Sequence, residues 1–130
     1  MLYEAPMHQE ITEAGLAELV RSFYARVRRD EQLGPIFEAA VDDWDEHLDR
    51  LTDFWSSVML TSGRYKGNPF GAHRPLPLDP DLFEVWLGLW RRTTAELFAP
   101  PAAAELNAKA ERIADSLMSG LFFRPSAARG

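Results

Sequence analysis

Apolar residues recur at three- and four-residue steps along most of this chain, and that period decides its architecture. Between Thr12 and Arg29 they fall at Leu16, Leu19, Val20, Phe23, Tyr24 and Val27. These positions form one stripe of a helix, with Thr12 as its cap, Glu13 in the first turn and Arg28 and Arg29 in the last. A second stripe holds Trp44, His47, Leu48, Leu51, Phe54 or Trp55, Val58 and Met59. It opens on an Asp43 and Glu46 capping pair and is expected to stop at Gly63. Asp79-Pro80 starts a third stripe through Leu82, Phe83, Trp86, Leu89, Trp90, Thr93 and Leu97, which Pro100-Pro101 ends. Leu106, Ala110, Ile113, Leu117 and Leu121 mark a fourth in Ala-rich sequence. Gly34-Pro35 is expected to stop the first helix and leave Ile36 and Phe37 in a short connecting turn. With no period-two alternation, the chain reads as all-α. It forms a single domain over 1–130 with four main helices, a core over about 9–122 and a frayed tail over 123–130.

Composition narrows the chemistry. There is no cysteine among the 130 residues, which excludes disulfides, thiolate zinc sites, iron–sulfur clusters and covalently attached haem. Three scattered histidines do not make a zinc cluster, and neither a phosphate loop nor a nucleophile elbow is present. A formal charge of -6 gives no general attraction to nucleic acid or anionic lipid, and the longest apolar runs are too short to cross a bilayer. The N-terminal residues lack a basic and then apolar leader, so the expected compartment is cytoplasmic, with no nucleic-acid or membrane partner.

The polar residues that break the helical pattern are the informative ones. Tyr24, His47 and Trp86 each lie on the apolar stripe of a different helix. Burying an unpartnered polar group costs on the order of 1–3 kcal/mol, so three around one interior point to something polar there. Between the second and third helices, Tyr65 to Pro77 carries two glycines and three prolines around His73. Such a segment is shaped rather than floppy, and it would hold an imidazole facing a cavity in the manner of an axial ligand to haem iron. Core tyrosine, core tryptophan and surface histidine are the plain alternatives.

Taken in order, Phe23-Tyr24-Ala-Arg-Val, Leu33-Gly-Pro-Ile-Phe37, Trp44-Asp-Glu-His47, Phe54-Trp55-Ser-Ser-Val, Tyr65-Lys-Gly-Asn-Pro, His73-Arg-Pro-Leu-Pro and Phe83-Glu-Val-Trp86-Leu resemble a truncated haemoglobin of the third group over about residues 9–120. The resemblance implies a two-over-two helical sandwich around haem b (iron protoporphyrin IX). It makes His73 the metal ligand on the proximal side, and Tyr24, His47, Leu51 and Trp86 the distal, ligand-facing residues. Phe37 then packs on the porphyrin, and Tyr65, Lys66 and Arg74 are candidates to hold its propionates. The connection between Phe37 and Trp44 is shorter than the family pattern, which bears on the placement of His47.

Two functions follow for comparison. The first is a haem protein that binds O2 or another diatomic ligand, with nitric oxide dioxygenase or peroxidase-like chemistry fed by an unidentified electron donor, and with a monomeric or weakly dimeric state. The second is a cofactor-free helical interaction module in which the same residues are ordinary core.

Overall fold

The structure is a computed structural model that describes residues 7–67 and 79–122. Five helices order the described residues: α1 (Glu13–Arg29), α2 (Leu33–Ala40), α3 (Trp44–Leu60), α4 (Pro80–Leu97) and α5 (Pro100–Phe122). Each expected helix start has its cap. Thr12 Oγ1 accepts from Gly15 N at 3.0 Å, Asp43 from Glu46 N at 3.2 Å and Asp79 from Asp81 N at 2.9 Å. The prolines at 80, 100 and 101 fall in first turns, where the missing N–H has no helical partner to lose.

One expectation fails. Gly34-Pro35 does not leave Ile36 and Phe37 in a turn, because both lie inside α2. Asp30 explains the difference, since its carboxylate accepts from both Gln32 N and Leu33 N at 2.9 Å and so starts a new helix with only three residues between it and α1. Pro35 then sits in the first turn, where it is tolerated. Gly34 is required for contact, as a Cβ there would lie 2.7 Å from the carbonyl oxygen of Arg28. α3 also ends earlier than expected, at Leu60, where Thr61 takes the left-handed cap at φ 52° ahead of Gly63.

The helices form two antiparallel pairs. α1 and α3 run antiparallel, tied by Arg21–Asp49 at the middle of α1 and by Ser56 Oγ to Glu13 Oε2 at 2.7 Å near its start. α4 and α5 make a hairpin in which Trp90 Nε1 donates to Leu106 O at 3.3 Å and Thr94 Oγ1 donates to Asn107 Oδ1 at 2.9 Å. The α1 stripe is the core of the molecule: Leu16, Leu19, Val20, Phe23 and Val27 are all fully buried. Each contributes roughly 1.5–3 kcal/mol of burial. Residues just before α1 close the far end, where His8 N donates to Leu97 O and Ala99 N donates to His8 O, both at 2.9 Å. This is the two-over-two sandwich expected from the sequence, with the short α2 added.

A candidate cavity between the helix pairs

A cavity of about 410 Å³ opens between α1, α2, α3, α4 and α5, within the size range of small-molecule sites. Its walls are largely apolar. Phe37 comes from α2, Leu51, Phe54 and Trp55 from α3, Leu82 and Phe83 from α4, and Ile113, Ala114 and Leu117 from α5. The helical periods place these side chains: Leu51, Phe54 and Trp55 fall one turn apart on α3, so one face serves both core and cavity. The choice the sequence left open between Phe54 and Trp55 resolves as both, with Trp55 buried in the core at 2 % exposure and Phe54 on the cavity wall.

Tyr24 and Trp86 supply the polar wall. The Trp86 indole can only donate, so its hydrogen bond to the Tyr24 side chain makes the phenol oxygen the acceptor. Tyr24 keeps its own hydrogen for another partner. Burial pushes the Tyr24 phenol up to about 12 from its ordinary 10.0, and the Trp86 bond offsets part of that rise. Aromatic rings fix the pair in place. Phe23 meets Tyr24 edge-on at 4.7 Å and Trp86 at 5.2 Å, while Phe37 closes on Tyr24 at 5.7 Å. His47 also lines the cavity, its ring perpendicular to Tyr24 at 5.9 Å and to Trp44 at 5.4 Å.

Trp44, on the same α3 stripe as His47, is also part of this surround. Its indole packs against Tyr24, Phe37 and His47, its outer face lies 4.4 Å under the Arg28 guanidinium, and its Nε1 is buried with no hydrogen-bond partner among the described residues. Glu38 holds Arg28 over that ring at 2.9 Å.

Of the residues singled out in the sequence, Tyr24, Phe37, His47, Leu51, Tyr65 and Trp86 all line this one cavity. Lys66 is exposed and is not among the lining residues. His73 and Arg74 lie outside the described residues. Sequence reasoning missed Arg50, which lines the cavity near Asp42, Asp43 and Glu46 and pairs with Glu46 at 3.3 Å. Its position three residues after His47 on α3 was the available signal, since i and i+3 share a face. Also missed was the link from α1 to the α3 exit. Ser56 is fully buried between Glu13 and Ser62, Arg64 reaches Glu13 Oε1 at 3.3 Å, and Ser57 Oγ accepts from Tyr65 N at 2.8 Å.

The chemistry of this cavity fits a haem. Aromatic and aliphatic walls suit the faces of a flat macrocycle, Arg50 offers a cation to a carboxylate, and the buried Tyr24 hydroxyl offers a donor to a small polar ligand. No group of three or more His, Cys, Asp or Glu side chains among the described residues could hold a bare metal ion.

Comparison with known proteins agrees. A family model described as bacterial-like globin matches residues 9–117. The group 3 truncated hemoglobin ctb of Campylobacter jejuni is 31% identical over 119 residues, covering 88% of this chain and 94% of that protein. The crystal structure of a group III truncated hemoglobin from Campylobacter jejuni is similar to this fold with a TM-score of 0.86 at 30% identity, covering 91% of this chain and 97% of that one.

Proposed function

This chain belongs to the bacterial-like globins, in their group III truncated haemoglobin branch, and is a haem-based ligand-binding protein; from that premise we propose that it carries haem b on His73 and binds O2 and other diatomic ligands beneath Tyr24. The observation that carries the reading is the buried Tyr24 phenol, beside the Trp86 indole, in the wall of a largely apolar cavity. When bound, haem supplies an iron that takes a diatomic ligand and exchanges electrons.

The chain's own residues do the rest. Trp86 fixes the Tyr24 oxygen as an acceptor, which leaves the Tyr24 hydrogen to point at the ligand. Burial keeps that phenol protonated, so the donor is present throughout the neutral range. His47 and Leu51, one turn apart on α3, stand beside the ligand and narrow its access. Phe37 packs on the macrocycle, and Tyr65, Lys66, Arg74 and Arg50 are the residues to hold its carboxylates. A donor-rich distal wall slows release of a ligand that carries negative charge, which favours redox chemistry on nitric oxide or peroxide over oxygen delivery. An electron donor is then required, and the protein works as a monomer or weak dimer in the cytoplasm.

A visible spectrum of the purified protein tests this. The reading expects a Soret band that shifts on reduction and again on carbon monoxide. A colourless protein that does not take up added haemin returns the chain to the interaction-module reading.

A further inference from the structure

Ser56 does not use its hydroxyl as Thr52 and Thr93 do. Those two donate to carbonyls four residues back on their own helices, Leu48 O and Leu89 O, both at 2.8 Å. Ser56, fully buried on α3, reaches across to α1 instead. Its partner there, Glu13 Oε2 at 2.7 Å, is a carboxylate oxygen, which only accepts, so the single Ser56 hydrogen is committed to it. Ser62 Oγ, 2.6 Å from Ser56 Oγ, must then donate to Ser56, and it accepts in turn from Arg64 N at 3.3 Å. The Arg64 guanidinium closes the circuit on the other Glu13 oxygen, Oε1, at 3.3 Å. All the hydrogens run toward one carboxylate, so each bond polarises the next in the same sense.

The backbone held by this circuit is the turn out of α3. Thr61 is the one non-glycine residue at positive φ among the described residues, at 52°, and Gly63 follows at 73°. A β-branched residue in that region is strained and stays there only where its surroundings hold it. Ser62 and Arg64, on either side of Gly63, are the residues tied to Ser56 and Glu13. The next residue is Tyr65, whose N–H donates to Ser57 Oγ at 2.8 Å and whose ring meets Phe54 edge-on at 5.2 Å on the cavity wall. Glu13, at the start of α1, is not on that wall.

We propose that Glu13 is a positioning residue for the cofactor seat: through Ser56, Ser62 and Arg64 it holds the turn that sets Tyr65 against the carboxylates of the bound haem. The inference rests on the haem reading above, with Tyr65 among the residues that hold those carboxylates. A carboxylate suits position 13 because both of its oxygens accept, one from a hydroxyl and the other from a guanidinium. An amide there would turn its own N–H groups toward one of those two donors and break that arm.

The test follows haem loss from the ferric holoprotein to an excess of apomyoglobin, with amide hydrogen exchange of the haem-free protein as a readout that needs no cofactor. Tyr65→Phe removes one hydrogen bond to a carboxylate and should speed haem loss by about tenfold. Glu13→Ala should speed it by about three- to tenfold, and the double variant should lose haem no faster than the faster single one, because Glu13 acts through Tyr65. Rates that multiply in the double variant overturn the proposal. In the haem-free protein Glu13→Ala should raise exchange at the Arg64 and Tyr65 amides, and unchanged exchange there overturns it as well. Should Glu13→Ala fail to fold, Glu13→Gln keeps an acceptor for Ser56 but loses the Arg64 arm, and the same pattern is expected at smaller size. O2 release, set on the distal side, should match the wild type; a rise in step with haem loss would mean that Glu13 only loosens the fold, and the positioning role would be wrong. The two readings fail separately: a protein that holds haem and loses it at a rate indifferent to Glu13→Ala refutes the positioning role alone, whereas one that takes up no haem removes both.

Discussion

Replacing Trp86 with Phe keeps an aromatic ring in the cavity wall but removes the N–H that Tyr24 accepts. The two side chains act in series, so the variants Tyr24→Phe and Trp86→Phe should differ sharply. Tyr24→Phe deletes the hydrogen that faces the ligand. A hydrogen bond to a charged acceptor is worth roughly 1.5–3 kcal/mol, so O2 release should accelerate by roughly ten- to a hundredfold. Trp86→Phe removes only the polarising bond behind it, and cooperative strengthening amounts to about 10–30% of a bond, which is ~0.2–0.9 kcal/mol here. The expected acceleration is then about one and a half- to fivefold. In the Tyr24→Phe background the Trp86 N–H is freed and can turn to the ligand, so the double variant should release O2 faster than Tyr24→Phe alone by more than the Trp86 single variant predicts. Stopped-flow displacement of O2 by carbon monoxide measures all four proteins. Carbon monoxide, less polar when bound, is the control and should respond far less. If Trp86→Phe matches Tyr24→Phe, the donors act side by side and the series arrangement is wrong. Equal effects on both gases would assign the change to sterics.

Burial of Tyr24 also makes an alkaline prediction: its folded value of about 12 lies above the ordinary 10.0, so the protonated phenol contributes stability in full below about pH 10 that is lost as pH rises toward 12, up to roughly 2–3 kcal/mol. Denaturant unfolding across that range should show the loss in the wild type and not in Tyr24→Phe. Gly34→Ala drives a Cβ to 2.7 Å from the Arg28 carbonyl oxygen, where backbone cannot yield cheaply, and thermal unfolding should report a loss of about 1–3 kcal/mol. His73→Ala should abolish stable haem binding or leave only haem restored by added imidazole; full retention with unchanged spectra would end the assignment of the proximal ligand. His47→Leu should keep haem while changing the carbon monoxide association rate, and loss of haem instead would mean that the two sides of the site are reversed.

The helices were legible because burial follows the period. Every residue named on the α1 stripe is buried, and the Thr12, Asp43 and Asp79 caps all bond as their positions require. α2 was not legible, because its start depends on the Asp30 carboxylate reaching two N–H groups ahead of it, and a Gly-Pro pair carries the opposite local signal. The gathering of Tyr24, His47, Leu51, Phe37, Tyr65 and Trp86 around one cavity followed from polar residues placed on apolar stripes and from the resemblance. The direction of the hydrogen bonds did not. Periodicity fixes where a Cβ points, but whether Trp86 donates to a ligand or to Tyr24 depends on the spacing of α1 and α4. That spacing is set by Phe23, wedged edge-on against Tyr24, Trp86 and Trp90 at 4.7, 5.2 and 5.0 Å.

The series arrangement has a consequence for pH that neither donor shows alone. Trp86 carries no titratable proton in water, and Tyr24 stays a phenol until about pH 12, so the relay offers the same hydrogen across the whole neutral range. Among the described lining residues, only His47 carries the kind of side chain that ordinarily changes charge between pH 5 and 8. Its ring stands against both Tyr24 and Trp44, so a charge there would act on the donor and on the cavity entrance together. His47→Leu should therefore flatten any neutral-range pH dependence of ligand kinetics that this ring imposes, while leaving the Tyr24 and Trp86 effects on O2 release in place.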